Sequence, residues 1–224
     1  MGANAQTSVP TFTAGDVLTA ANMNISARTG VPVFADTTAR DAAFGGTGEK
    51  TLAEGQLCYL ESTNVTQQYD GTNWTTVGPL VAIFNETQAS GTNGGTATSG
   101  SFVKRTLNTT VVNNIPNCSI ASSVITLPAG SYVVHAIGTV FNVTTYKSRL
   151  QNTSDASTAI QGGSGFAASD NYGFAPVIGY FTITASKNFE LQTRVGATVA
   201  TNGYGASNSF GDEVYSQITI TKVA

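Results

Sequence analysis

The sequence predicts a mainly β protein: a C-terminal antiparallel jelly-roll sandwich, a small α+β module before it, and an extended N-terminal leader. Three observations carry that expectation. Apolar residues make up 41% of the 224 positions and charged residues only 10%, far below the roughly 25% of an average soluble protein. Thr, Asn, Ser and Gly supply the missing polarity, which suits antiparallel sheets with neutral outer faces. Side chains also alternate with period 2 in the second half. In 188–198, Phe189, Leu191, Thr193, Val195 and Ala197 share one face, opposite Glu190, Gln192 and Arg194. In 212–223, Val214, Ile218 and Ile220 oppose Glu213, Gln217 and Thr219. Beyond residue 100 no segment has a helical period, and turn residues recur at the spacing of a sandwich.

Composition divides the chain into a leader (1–30), a small module (31–87), a Gly/Ser/Thr linker (88–100) and a head (101–224). In the leader, Thr13 caps a short expected helix over 14–24. Its apolar stripe is too small to bury itself, so Phe12, Val17, Leu18 and Met23 are candidates for docking on a partner. In the module, VPVF (31–34) reads as a strand and Asp36 as the cap of a helix over TTARDAAF. GQLCYL (55–60), VTQQYD (65–70) and NWTTV (73–77) form a meander around turns at 61–64 and Asp70-Gly71. Trp74 is expected to pack there rather than to offer a sugar platform. In the head, strands are expected at 102–110, 123–127, 131–142, 146–152, 174–184, 188–198 and 212–223. The intervening 153–173 and 199–211 read as loops.

The strand at 131–142 is apolar on both faces. Tyr132, Val134, Ala136 and Val140 line one side; Val133, Ile137 and Phe141 line the other, together with His135, the single histidine of the chain. A strand apolar on both sides is covered on both sides. In a sandwich the second cover is another subunit.

The segments PAGSYVVHAIGTVFNVTTYKSRLQNTSD, FTITASKNFELQTRV and ATNGYGASNSFGDEVYSQITITKV, in that order, resemble a β domain of bacteriophage appendage proteins. That domain looks like the trimeric globular head of complement and tumour-necrosis-factor-like proteins. The leader PTFTAGDVLTAANMN and the module pieces ARDAAF, GQLCYL and YDGTNW are similar to segments of phage tail and structural proteins. The resemblance implies a homotrimer, closed as a ring by a heterologous interface. Tyr132, Val134, His135, Phe141, Phe181 and Tyr215 are its candidate interface residues, and all of them but His135 are equally candidates for core packing. It further implies a virion location on tail or capsid, with the leader contacting other virion proteins. Consistent with this, the N-terminus has neither the charged nor the apolar region of a secretory signal.

No chemistry of catalysis or cofactor binding is legible. A Ser–His–Asp site needs an acid and a serine converging on the imidazole, and the strand neighbours of His135 are apolar or small. A metal centre needs three or four ligands, and Cys58 and Cys118 stand alone. Asp212 and Glu213 are adjacent on a strand, so they point to opposite faces and make a poor glycosidase pair. The glycines of GGSG (162–165) and GTNGG (91–95) precede no helix and no Lys, and read as loop rather than phosphate cradle. A net charge of −3 with no Lys/Arg cluster argues against nucleic acid, and no apolar run is long enough to span a membrane. The expectation is a non-enzymatic virion protein without cofactor. It is either a short fibre or knob whose head binds a host-surface glycan, or a capsid decoration protein stabilising the shell. For the first, the contacts are expected in the two loops, at Asn171, Tyr172, Asn202 and Tyr204.

Overall fold

The computed structural model describes residues 15, 17, 30–44 and 51–223, which fall into two compact units, Met1–Gly78 and Pro79–Ala224. Apart from Gly15 and Val17, the helix expected over 14–24 lies outside the described residues.

The first unit is built from β1 (Val33–Phe34), α1 (Thr37–Ala42), β2 (Leu57–Leu60), β3 (Val65–Tyr69) and β4 (Trp74–Thr76). They form one sheet in the order β1-β2-β3-β4. The helix starts where the sequence indicates: the Asp36 carboxylate accepts from Ala39 N at 2.8 Å, satisfying one of the free N–H groups of the first turn. The core is Phe34, Ala43, Cys58 and Leu60, with Trp74 packed against it. Trp74 lies 5.7 Å from Phe44 and 5.6 Å from Tyr69, ring centre to ring centre. Its other contact is the Arg40 guanidinium, 4.9 Å over the ring. It is a packing residue.

The second unit contains β5 (Leu80–Gln88), β6 (Val103–Lys104), β7 (Thr109–Asn113), β8 (Ser119–Ala121), β9 (Val124–Leu127), β10 (Gly130–Phe141), β11 (Thr144–Asn152), β12 (Ser157–Ala167), β13 (Tyr172–Ile183), β14 (Lys187–Val195) and β15 (Glu213–Lys222). One sheet runs β13-β10-β15-β5-β7; the other runs β12-β11-β14-β9-β8, with β6 also on β14. The chain passes from one sheet to the other at most connections after β9, giving an antiparallel jelly-roll sandwich. The core fills the space between the inner faces. Ala82, Phe84, Tyr132, Val134, Val177, Ile218 and Ile220 come from the first sheet; Ile125, Leu127, Leu150, Phe189 and Leu191 come from the second. Burying each of the larger of these side chains contributes about 1.5–3 kcal/mol.

Four sequence expectations are corrected here. The module does not extend to residue 87. Leu80–Gln88 is β5, held between β15 and β7 by registers such as Leu80↔Lys222 and Ile83↔Val112, so the boundary falls between Gly78 and Pro79. Nor is 88–100 a free linker. Gly94 N donates to Gly205 O at 2.8 Å, Ala97 pairs with Val199, and Ala97 is fully buried. Residues 157–167, taken as loop, are β12, paired along β11 from Thr144↔Ala167 to Asn152↔Ser157. The GGSG glycines lie in that strand because the backbones pack tightly: a Cβ at Gly162 would stand 2.5 Å from Pro176 O and 2.6 Å from Ser148 O. Finally, Val214 does not share a face with Ile218 and Ile220. A register shift between Val214 and Ser216 leaves Tyr215 and Ser216 both buried and turns Val214 outward.

Candidate functional site

Strand alternation sends Val133, His135 and Ile137 of β10 to the outer face of the first sheet. There they meet the outward residues of β13 directly: His135 pairs with Ile178, Val133 with Tyr180 and Thr139 with Phe174. Phe174, Ile178 and Tyr180 are 57–60% exposed and Ile137 is 41% exposed. Val214 on β15 and Val112 on β7 extend the same apolar sheet face. Ile137, Phe174, Val214 and Gln217 border a shallow depression of about 180 Å³. His135, exposed at the centre of this surface, has no acid or second histidine as a strand partner; its neighbours are Ile178 and Thr219. Among the described residues no group of His, Cys, Asp or Glu is placed to hold a metal, and no helix is long and apolar enough to cross a membrane.

The structure sorts the candidate interface residues. Tyr132, Val134 and Tyr215 belong to the interior, with 0%, 0% and 3% exposure. The inner face of each strand is the one that meets the opposite sheet, which sequence alternation alone does not specify. Tyr132 stacks on Phe181 at 5.5 Å, and Phe181 in turn lies 5.0 Å from Phe189. Tyr132 Oη donates to Pro128 O at 2.6 Å, and burial pushes its phenol up to about 12. Tyr215 Oη donates to Thr92 O at 2.7 Å, and its phenol is likewise raised to about 12 by burial. Phe141 is half-buried, edge-on to Tyr172 at 5.1 Å. Of the six, His135 alone stands clear on the outer face.

Of the candidate host contacts, Tyr204 is corrected. Asn171 and Tyr172 are exposed, and the Tyr172 hydroxyl donates to Ala206 O. Asn202 is half-buried. Tyr204 is 7% exposed and lies under the Arg105 guanidinium, 4.0 Å from its ring centre, so it is a core residue rather than a loop contact. Phe12, Leu18 and Met23 lie outside the described residues; Val17 is exposed. The segment 199–211 is a loop held from within. Glu213 Oε1 accepts from Asn208 N at 3.0 Å and Ser209 N at 2.9 Å, which gives that acid a structural role. Both cysteines are free, and burial raises each thiol to about 11.

Sequence reading missed one grouping. The outward face of the second sheet carries Lys147 and Arg149 on β11, Arg194 on β14 and Lys104 on β6. Lys147 faces Arg194, Arg149 faces Gln192, and Gln192 faces Lys104. Glu190 is the acid beside them, 3.8 Å from Lys104. Ninety residues separate the first and last of these cations, so only strand register brings them together. The expectation that the chain holds no Lys/Arg cluster is corrected accordingly.

No family model matches the chain, and no curated protein matches its sequence. Among solved structures it is similar to murine APRIL (crystal structure at pH 5.0), with 10% identity and a TM-score of 0.45 over 65% of this chain and 100% of that one. It is also similar to the globular domain of zebrafish complement 1qA protein, with 10% identity and a TM-score of 0.44 over 66% of this chain and 98% of that one. Neither likeness adds to what strand order and register already establish: a mainly β jelly-roll sandwich.

Proposed function

We propose that this protein is a non-enzymatic, homotrimeric binding head of a virion, joined to other virion proteins through its N-terminal leader. The observation that carries the reading is the apolar outer face of the β13-β10-β15-β5-β7 sheet. Phe174, Ile178 and Tyr180 stand more than half exposed there in a chain with few charges. Exposed contiguous apolar surface of this kind marks an interaction site. The edge formed by β12 and β13 supplies a second, different apolar feature, Phe166 at 68% exposure. A face and an unlike edge on one subunit fit a heterologous contact that closes on itself. The phage assignment rests on the sequence resemblance of leader, module and head segments.

Sedimentation of the full chain tests the trimer. Three copies of 23.0 kDa give about 69 kDa, and Ile178→Asp, at a site exposed in the single chain, shifts it to monomer with its melting cooperativity kept. A native chain that sediments as a monomer at micromolar concentration overturns the reading. Labelling intact particles with an antibody against the head separates the two virion roles. Signal at the tail end supports a short fibre or knob binding a host-surface glycan; signal over the shell supports a decoration protein.

A further inference from the structure

Two of the cations on the outer face of the second sheet, Lys147 and Arg194, line a groove of about 590 Å³. Its floor is β11 and β14, through Lys147, Arg194 and Val195. Its walls are Ser99–Gly100 on one side and Ser164–Gly165 of β12 on the other. The central feature is electrostatic. Lys147 and Arg194 sit directly opposite each other across β11 and β14, a like-charge arrangement that destabilises a sheet. Neither side chain makes an ion pair or hydrogen bond among the described residues, whereas Lys187 is held by Asp155 at 2.6 Å and Lys104 faces Glu190. Arg149 lies one outward position along β11 from Lys147, about 7 Å away. It is fixed there by Gln192 at 2.9 Å and by the Phe102 ring 4.0 Å beneath it. Two cations repelling side by side on the floor of a groove are relieved by an anion bound over both, and a third charge along the strand direction suits a repeating one.

We propose that this groove binds a carboxylated polysaccharide, with Lys147 and Arg194 clasping one uronate carboxylate and Arg149 the next along the chain. Ser99 and Ser164 provide hydroxyls for the sugar ring. An acidic glycan fits better than single-stranded nucleic acid, because the groove is bordered by one exposed ring, Phe166 opposite Thr145, and not by the series of aromatic faces on which successive bases stack. Phe102 is covered by Arg149, and Tyr146 is wedged where a Cβ at Gly165 or Gly173 would stand 2.3 Å from its ring. Lys147 and Arg194 lie on the opposite sheet from the apolar face, while the β12 wall at Ser164–Gly165 adjoins Phe166 of the edge assigned to the trimer contact; the inference rests on the cations, goes beyond the trimer reading and stands if the head proves monomeric.

The test uses the full chain and polygalacturonate as probe, at about 50 mM salt where the electrostatic attraction is little screened. Expected are binding by calorimetry, weakening as salt rises, at least tenfold weaker binding to the methyl-esterified polymer, and a tenfold or greater loss in Lys147→Gln/Arg194→Gln. Both substituted side chains are outward, and near-ultraviolet circular dichroism confirms that the variant is folded. Lys187→Gln, away from the groove, binds as the native chain does. Three results overturn the proposal: no binding of polygalacturonate, equal binding of the esterified polymer, or an unaffected double variant. Tighter binding of single-stranded DNA than of polygalacturonate overturns the choice of ligand class. Sedimentation of the same samples reports the trimer separately.

Discussion

Replacing Glu86 by Gln tests the main polar contact inside the sandwich. Arg105 and Glu86 are 1% and 2% exposed. Arg105 Nη2 donates to Glu86 Oε2 at 2.9 Å and to Tyr215 O at 3.0 Å, while Nη1 donates to Thr139 O at 2.7 Å. Glu86 Oε2 also accepts from Ser216 Oγ at 2.9 Å. The amide keeps the shape and one acceptor oxygen, but removes the charge that neutralises the guanidinium. Breaking a buried pair costs about 3–5 kcal/mol, and a retained hydrogen bond offsets about 1 kcal/mol of it. The expected loss is therefore about 2–4 kcal/mol. For a domain of this size each kcal/mol lowers the melting temperature by about 2–4 °C, so the head melts roughly 4–16 °C earlier. Six of the eight tyrosines lie in the head, so near-ultraviolet circular dichroism during urea unfolding follows that unit, while fluorescence of Trp74 follows the other. Adding Arg105→Met completes a double-mutant cycle. The two losses should fall short of additivity by more than 1 kcal/mol, because the second substitution removes the charge the first left unpaired. A loss below 1 kcal/mol in Glu86→Gln, or strict additivity, would refute the view that neutralisation of Arg105 holds this end of the sandwich.

Three further outcomes follow from contacts described above. Gly205→Ala should destabilise the head by about 1–3 kcal/mol, since its φ is +143° and a Cβ there would stand 2.1 Å from the Tyr215 ring; unchanged urea midpoints would contradict this. The hydrogen bond and charge of Lys187 hold the Asp155 carboxyl below its usual range. Its contribution is present above the unfolded carboxylate pKa and lost as pH falls through the lower folded value, so Asp155→Asn should flatten the acid limb of the stability profile. Cys58 and Cys118, with thiols raised to about 11, should react with a thiol reagent at pH 8 only in step with unfolding; a fast phase in the native protein would show an accessible thiol.

The legible parts of the fold were those written in local alternation. The inward set Phe189, Leu191, Thr193, Val195 is buried as its spacing indicates, and the two-faced strand at 130–141 does present an apolar outer face. What escaped depends on partners distant in sequence. β12 has polar and glycine residues where alternation would need apolar ones, because close backbone approach at Gly162 replaces side-chain packing there. β5 was assigned to the wrong unit because both its partners lie beyond the expected linker, β7 at 109–113 and β15 at 213–222. Tyr132, Val134 and Tyr215 were visible as strand residues, but which face becomes the interior depends on the opposing sheet. Of the cation row only Lys147 and Arg149, two apart on one strand, show in the sequence; Lys104 and Arg194 join them only through the registers of β6, β11 and β14.

The placement of β15 has a consequence for synthesis. This strand, the last of the head, is inserted between β10 and β5, with Leu80 of the first strand opposite Lys222. Until residues 213–222 leave the ribosome, β5 and β10 have a gap between them where their shared partner belongs, and the first sheet is two unconnected pieces, β13-β10 and β5-β7. No nascent prefix of the head can close, so folding waits for the whole unit to emerge. Long-range pairing of this kind is slow to form and leaves strand edges open meanwhile. A C-terminal truncation removing β15 should therefore yield an aggregating chain rather than a smaller folded head.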